Sequence, residues 1–330
     1  MINPFRRTCL QLAPRAAVAA IVLMLSPSGY GALSQTAATK IIVPAPAGGA
    51  LDVFTRILAD EISRKHARTI VIENRPGATT LIGTEAVARA APDGSTLLAN
   101  APPAFVIYPH LQKLHHDPLT SLEPICSLVR FPTVIVVNNA SPHRTLADLL
   151  NAARAQPGAL SLASIGPASL TRIGFEMLVR AADVKITFVP YSGAGLAVNA
   201  LLGQHVTAYF GNYTDASEQL KSGRLRALAV ASRTRIDALP DVPTVAESGY
   251  RDYEVEGWFG LFAPAKTPRE TVSRLVNTFA AAMQVPAVRV KLATLGLYPI
   301  QICGSDFGTL IRRQYEEYGR VIREAQITAQ

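Results

Sequence analysis

Along this chain, short continuous apolar runs alternate with stretches of helical periodicity. "KIIVPA" (40–45) precedes a helix pattern over 51–66, and "TIVIE" (69–73) precedes the turn and helix of "NRPGATTLIGTEAVARAA". "STLLAN" (95–100) is a third strand-like run. "TVIVVN" (133–138), "LSLAS" (160–164), "ITFVP" (186–190) and "VTAYF" (206–210) each lead into a helix pattern, and "LRALAVA" (225–231) follows. Runs that stay apolar instead of alternating suit strands covered on both faces, which predicts mostly parallel sheets. Strand–helix alternation predicts an α/β fold. Phe54, Ile57, Leu58 and Ile62 fall on one helical stripe, as do Ile173, Met177 and Leu178. Thr145 and Asp148 have the spacing of a capping box and start a helix there.

The last quarter reads differently. "GWFGLFAPAKTP" (257–268) is one strand and a proline-marked turn, followed by helices near 268–284, 286–295 and 305–326. The economical arrangement is two α/β lobes and a helical C-terminal tail, with the chain crossing near 125–132 and returning near 250–258. A length of 330 residues, 49% hydrophobic and 17% charged, suits a globular protein of about two domains.

The N-terminus departs from this composition. Arg6, Arg7 and Arg15 precede the apolar "AAVAAIVLML" (16–25), then small and polar residues, and no acid appears before Asp52. That order reads as a secretory signal over 1–38 whose apolar core is too short to anchor in a bilayer. Cleavage is expected after Ala32 or Ala38. Removal of the signal leaves 29 Lys and Arg against 24 Asp and Glu, a mild and dispersed positive charge. No basic cluster is interleaved with aromatics, which argues against nucleic acid, while mild positive charge favours an anionic solute. Cys126 and Cys303 then remain, either as a disulfide in an oxidising compartment or as two buried thiols, and neither has metal-site spacing.

"IIVPAPAGGALDVFTRILADEI" (41–62) is strand, glycine turn, helix. Such a turn opens backbone N–H groups at a helix N-terminus and suits an anion. Its spacing is neither G-x-G-x-x-G nor G-x-x-x-x-G-K-[ST], so the nucleotide readings fail.

Six stretches carry a family resemblance. They are "IIVPAPAGGALDVFTRILA", "VIENRPGATTLIGTEAVARAAPDGSTLL", "LASIG", "VPYSGAG", "LRALAVASRTRIDALPDVPTVAESGY" and "WFGLFAPAKTP", in order from Lys40. The chain resembles the Bug-type periplasmic solute-binding receptors of tripartite tricarboxylate transporters. The resemblance implies a two-lobed periplasmic-binding-protein (Venus-flytrap) fold. The expected division is 39–130 plus 255–330 for one lobe and 131–254 for the other. It implies a small organic carboxylate as ligand, no cofactor and no metal, delivery to membrane subunits of a tripartite transporter, and a monomeric receptor in the periplasm.

In the family two loops grip one ligand carboxylate through backbone N–H groups. The first corresponds to Ala45–Asp52, where Ala47, Gly48 and Gly49 are expected against the ligand and Asp52 is expected to stabilise the first helical turn. The second corresponds to "SIGPASLTR" (164–172), with Ser164, Gly166, Ser169 and Thr171 as donors. Here the chain departs from its relatives. Pro167 replaces an Asn, Leu170 a small polar residue and Arg172 a His, and Arg172 either adds positive charge to the site or points to solvent. At "YFGNYTD" (209–215) many relatives carry Asp where this chain has Gly211, which argues against an amino-acid ligand, and Asn212 remains as a neutral donor and acceptor. At 100–111, Ala101, Pro102, Pro103 and Phe105 are expected to form an apolar, stiff wall suited to a less polar acid. Tyr191 either lines the cleft or packs at a helix start, and Trp258 and Phe259 are expected near the hinge. His110, His115 and His116 read as a solvated loop.

An exported hydrolase is the competing class. The chain has no G-x-S-x-G elbow and no evident Cys–His pair. A receptor that signals without transport would need the same clamp, and sequence does not separate it from a transport receptor.

Overall fold

The computed structural model describes residues 38–66, 69–166 and 168–328. The signal expected over 1–38 therefore lies outside the described residues except for its last position, and so does the departure at Pro167. The first third of the chain gives β1 (Thr39–Val43), α1 (Ala50–His66), β2 (Ile70–Asn74), α2 (Leu81–Ala88), β3 (Thr96–Asn100), α3 (Pro103–Val106) and α4 (Tyr108–Leu111). Next come β4 (Leu122–Asn138), α5 (Leu146–Ala155), β5 (Ser161–Ile165), α6 (Leu170–Ala181), β6 (Thr187–Tyr191), α7 (Ala194–Leu202), β7 (Ala208–Asn212), α8 (Tyr213–Lys221) and β8 (Leu225–Val230). The chain ends with β9 (Glu256–Pro264), α9 (Arg269–Met283), α10 (Pro286–Thr294), β10 (Tyr298–Cys303) and α11 (Ser305–Glu324). The capping box at α5 forms as its spacing requires: Asp148 N–H donates to Thr145 Oγ1 at 3.1 Å and Thr145 N–H to Asp148 Oδ2 at 2.9 Å.

Among the named strands, parallel pairing is confined to the outer ones, where β2, β1 and β3 run together, as do β7, β5 and β6. The centre is antiparallel, so the sheet is mixed and not mostly parallel. β4 is the reason, since it is long enough to belong to two sheet halves. Leu122–Pro132 pair with β9, from Leu122↔Pro264 to Pro132↔Glu256, and residues 133–138 pair with β7 and β8. β10, read in the sequence as part of a helical tail, adds to the first half of β4.

Register fixes where the strands end. Asn100 pairs with Gly260 and Gly260 with Ser127, so β3 and its parallel neighbours run toward the Pro132 end of β4's first half. In the other half Thr133 pairs with Asn212, so β7 and its parallel neighbours run toward the same point from the opposite side. The carboxyl ends of six strands thus converge on the Pro132–Thr133 crossing. In open α/β sheets ligands bind at such a topological switch point.

One core spans both halves. Ile42 and Leu98 join Leu150, Ile173 and Phe210 in a single buried cluster, and Val321 and Ile322 of α11 close it. Two further clusters back the outer faces of the two halves. Cys126 and Cys303 sit opposite each other on β4 and β10 and are joined as a disulfide.

Candidate binding site

Loops 44–49 and 75–80 and residues 101–102 follow β1, β2 and β3, and residues 166, 168–169 and 192–193 follow β5 and β6, so all of them lie on the sheet edges that face the crossing. β7 runs directly into α8 there. Ala47, Gly48 and Gly49 are exposed. Gly48 has φ +82°, a left-handed conformation open to glycine without strain.

Asp52 organises this loop. Its carboxylate is 1% exposed and accepts from Gly48 N–H at 2.8 Å, Arg56 Nε at 2.9 Å and Asn74 Nδ2 at 2.9 Å. Asn74 Nδ2 also donates to the Ala45 carbonyl at 3.0 Å, which ties the loop after β1 to the end of β2. Burial pushes the Asp52 pKa up, but the hydrogen bonds from Arg56, Gly48 and Asn74 outweigh it and hold the pKa at about 2. Asp52 therefore stabilises the first helical turn, as its position suggests. The expectation that the glycine N–H groups face the ligand needs correction: Gly48 N–H is taken by Asp52, and Gly49 N–H approaches the Pro46 carbonyl at 3.3 Å. In this loop the backbone N–H groups of Ala47, Ala50, Leu51 and Asp52 have no partner among the described residues, the last three being the first of α1.

The second loop is also tied internally. Gly166, at φ +58°, donates its N–H to the Tyr191 carbonyl at 3.0 Å, so Tyr191 closes β6 against β5 and holds the loop. Ser169 caps α6 and accepts from Arg172 N–H at 3.1 Å. Ser164 is fully buried, donates to the Phe210 carbonyl at 2.7 Å and lies 2.6 Å from Thr171 Oγ1. Thr171 is 3% exposed, so Ser164 and Thr171 support the loop from beneath and are not surface donors. Arg172 follows neither of its two readings. It pairs with Glu176 one turn along α6, and its guanidinium lies 4.0 Å from the centre of the Phe188 ring. Burial among these groups lowers its pKa.

At the end of β7, Gly211 is buried because the Tyr209 ring lies over it, and a Cβ at 211 would overlap the Tyr209 phenol. The Tyr209 hydroxyl donates to Asp215 Oδ2 at 2.9 Å, and the same oxygen accepts Asn212 N–H at 3.1 Å. Burial raises both pKa values, outweighing for Asp215 the hydrogen bonds from Tyr209 and Asn212. Tyr209, Asp215 and Asn74 were not singled out from the sequence. Asn74 lies within the quoted "VIENRPGA", but nothing in spacing marked it as a loop tether.

The apolar wall at 101–105 is smaller than expected. Phe105 is 1% exposed and stacks on Phe262 at 4.3 Å, and Pro102 is buried. Ala101 and Pro103, both half-buried, remain, and Ala101 N–H donates to Asn100 Oδ1 at 2.8 Å. Trp258 and Phe259 do flank the crossing, paired with Arg130 and Val129. His110 Nε2 bonds the Tyr315 carbonyl at 2.9 Å, and among the described residues no group of three metal-ligating side chains forms.

Residues 54–327 match the family described as tripartite tricarboxylate transporter family receptor. The chain belongs to that family. It is therefore a solute-binding receptor and not an enzyme. This receptor is 32% identical over 287 residues to the protein BugT of Bordetella pertussis, a match covering 86% of this chain and 88% of BugT. It is also similar to a Rhodopseudomonas palustris protein solved with adipate (29% identity, TM-score 0.71, covering 88% of this chain and 98% of that one). The R. palustris protein MatC, solved with bound malate, is 28% identical with TM-score 0.68 and covers 86% and 98%. These receptor structures share the α/β periplasmic-binding-protein fold.

Proposed function

We propose that the receptor captures a small organic carboxylate at the β4 crossing, between one lobe formed by 39–130 plus 255–330 and another formed by 131–254. It then delivers the acid to membrane subunits of a tripartite transporter, after export by the N-terminal signal. The observation that carries this reading is the convergence of six strand ends on one crossing, with the unpartnered N–H groups that open α1 at its edge. Those groups, and the positive end of the helix dipole, favour an anion. The malate and adipate bound by the two neighbours agree in chemistry. Gly211 brings no carboxylate, and among the described residues of these loops the acids Asp52 and Asp215 are already engaged, which leaves neither for an ammonium group.

Calorimetry with malate, adipate and aspartate tests this. Malate or adipate should bind, and aspartate, which differs from malate in carrying an ammonium in place of the hydroxyl, should bind at least about tenfold more weakly. Gly49→Val, whose new Cβ would meet the Pro46 carbonyl at 3.3 Å, should reshape the loop in front of the free N–H groups that open α1, and with one such donor misplaced binding should weaken by about tenfold or more while the protein stays folded. Tight aspartate binding, or wild-type affinity in folded Gly49→Val, contradicts the assignment.

A further inference from the structure

The two chain crossings between the sheet halves lie side by side. Thr133 Oγ1 donates to the Val255 carbonyl at 2.7 Å, Ala231 N–H to the Thr133 carbonyl at 2.9 Å, and Val255 N–H to the Ala231 carbonyl at 2.8 Å. One ion pair sits on this pivot. Arg130 Nη1 lies 3.0 and 3.3 Å from the two carboxylate oxygens of Glu256, the first residue of β9. Arg130 Nη2 reaches across to Thr234 Oγ1 at 3.4 Å, in the segment after β8, and its guanidinium faces the Tyr298 ring at 6.0 Å. Arg130 thus touches both sheet halves, while Glu256 fixes it from one.

We infer that the Arg130–Glu256 pair is a pH-sensitive latch on the pivot, whose protonation state sets how firmly the two lobes hold their relative angle. This rests on the two-lobe reading proposed above. Any rotation about Thr133 and Val255 moves Thr234 relative to Arg130, so the guanidinium must break or remake its bridge as the lobes turn. The side chains of Arg130 and Glu256 are 22% and 12% exposed, so water replaces a lost partner poorly.

The groups facing Glu256 make its charge marginal. Burial pushes its pKa up, Arg130 pulls it down, Glu254 two residues away pushes it up again, and the Ser232 hydroxyl pulls it down; the balance is about 7. Glu254 is itself engaged by Arg233 at 3.3 Å and Arg313 at 3.2 Å, so those cations are directed elsewhere. The Tyr318 phenol feels the Glu256 charge but is pushed far up by burial and stays neutral. As pH falls through about 7, Glu256 takes a proton, Arg130 loses its counter-charge, and the bridge to Thr234 is no longer anchored from the first half.

The test needs no ligand, so it fails separately from the carboxylate reading. Spin labels at Asp60→Cys on α1 and Glu218→Cys on α8, both exposed, report the separation of the two halves in the full mature chain. Between about pH 8.5 and pH 5.5 the distance distribution should broaden and its mean should shift, with a midpoint near 7. Glu256→Gln, which mimics the protonated acid, should give the low-pH distribution at every pH. Arg130→Gln, which removes the charge that keeps Glu256 ionised, should do the same if the first variant folds poorly. A pH-invariant distribution in the wild type, or an undiminished shift in either folded variant, overturns the latch.

Discussion

Asp52 carries more of the site's order than any glycine beside it. Three donors on three segments converge on one buried carboxylate, so its ionisation and the loop's shape are a single equilibrium. The sign follows from linkage. The folded pKa of about 2 lies below the ordinary 3.8, so the folded state favours the ionised acid. The stabilisation is fully present above pH about 4 and is lost as pH falls from there through about 2, an effect of about 2 kcal/mol. Asp52→Asn keeps the shape but presents an amide N–H₂ where Arg56 or Asn74 now donates. It should lower stability by about 2 kcal/mol at neutral pH, with the deficit shrinking as the wild type is titrated below pH about 4. Urea denaturation of both proteins at pH 7 and pH 3 checks this, and a deficit equal at both pH values would mean that packing, not ionisation, holds the loop.

At the scale of elements, β4 and β10 are fastened by the Cys126–Cys303 disulfide, which closes 177 residues of chain. A cross-link stabilises mainly by restricting the unfolded chain, typically by about 2–4 kcal/mol. Replacing both cysteines by alanine should lower stability by that amount, read as a fall in urea midpoint together with a steeper slope, because the unfolded chain without the bridge exposes more surface. These two strands also mark where the sequence stopped being legible. The outer strands and their helices appear close to where apolar runs and helical stripes place them, because each element carries its own pattern. β4 was read only from Thr133 because Pro124 and Pro132 punctuate the run. Pro124 sits at a register shift against β9 and Pro132 at the change from one sheet half to the other, where a missing N–H costs little. β10 hid for the same reason, its Pro299 bordering another register shift. The antiparallel centre follows from this long strand, and no local pattern announces pairing across more than a hundred residues. Glycine turns do fall in the loops after β1 and β5. Which donors those loops spend on themselves was set by Asn74, Asp52 and Tyr191 meeting from distant segments, and composition does not report that.

For the whole molecule, the question is whether two sheet halves mean two folding units. α11 argues for one. Its Val321 and Ile322 lie in the same buried cluster as Phe105 and Phe262 from the first half and Ile173, Phe175 and Leu178 from the second. On the same helix, Gln314 Oε1 accepts from Trp258 Nε1 at 3.0 Å, and Glu324 pairs with Arg180 of α6 at 2.8 Å. The exposed ion pair contributes little, at most about 1 kcal/mol. The shared apolar cluster is the coupling, since buried residues of α11 and of both halves lie in it together. Ile322→Ala, at a side chain 2% exposed, should therefore cost about 2–5 kcal/mol and should lower the stability of both halves together. The single tryptophan, Trp258, is buried in the first half and reports its unfolding by fluorescence, while far-UV circular dichroism reports helices of both. The two signals should give coincident urea transitions in the wild type and transitions shifted equally in Ile322→Ala. If the fluorescence transition moves while a second dichroism transition stays in place, the halves fold independently and α11 belongs to only one of them.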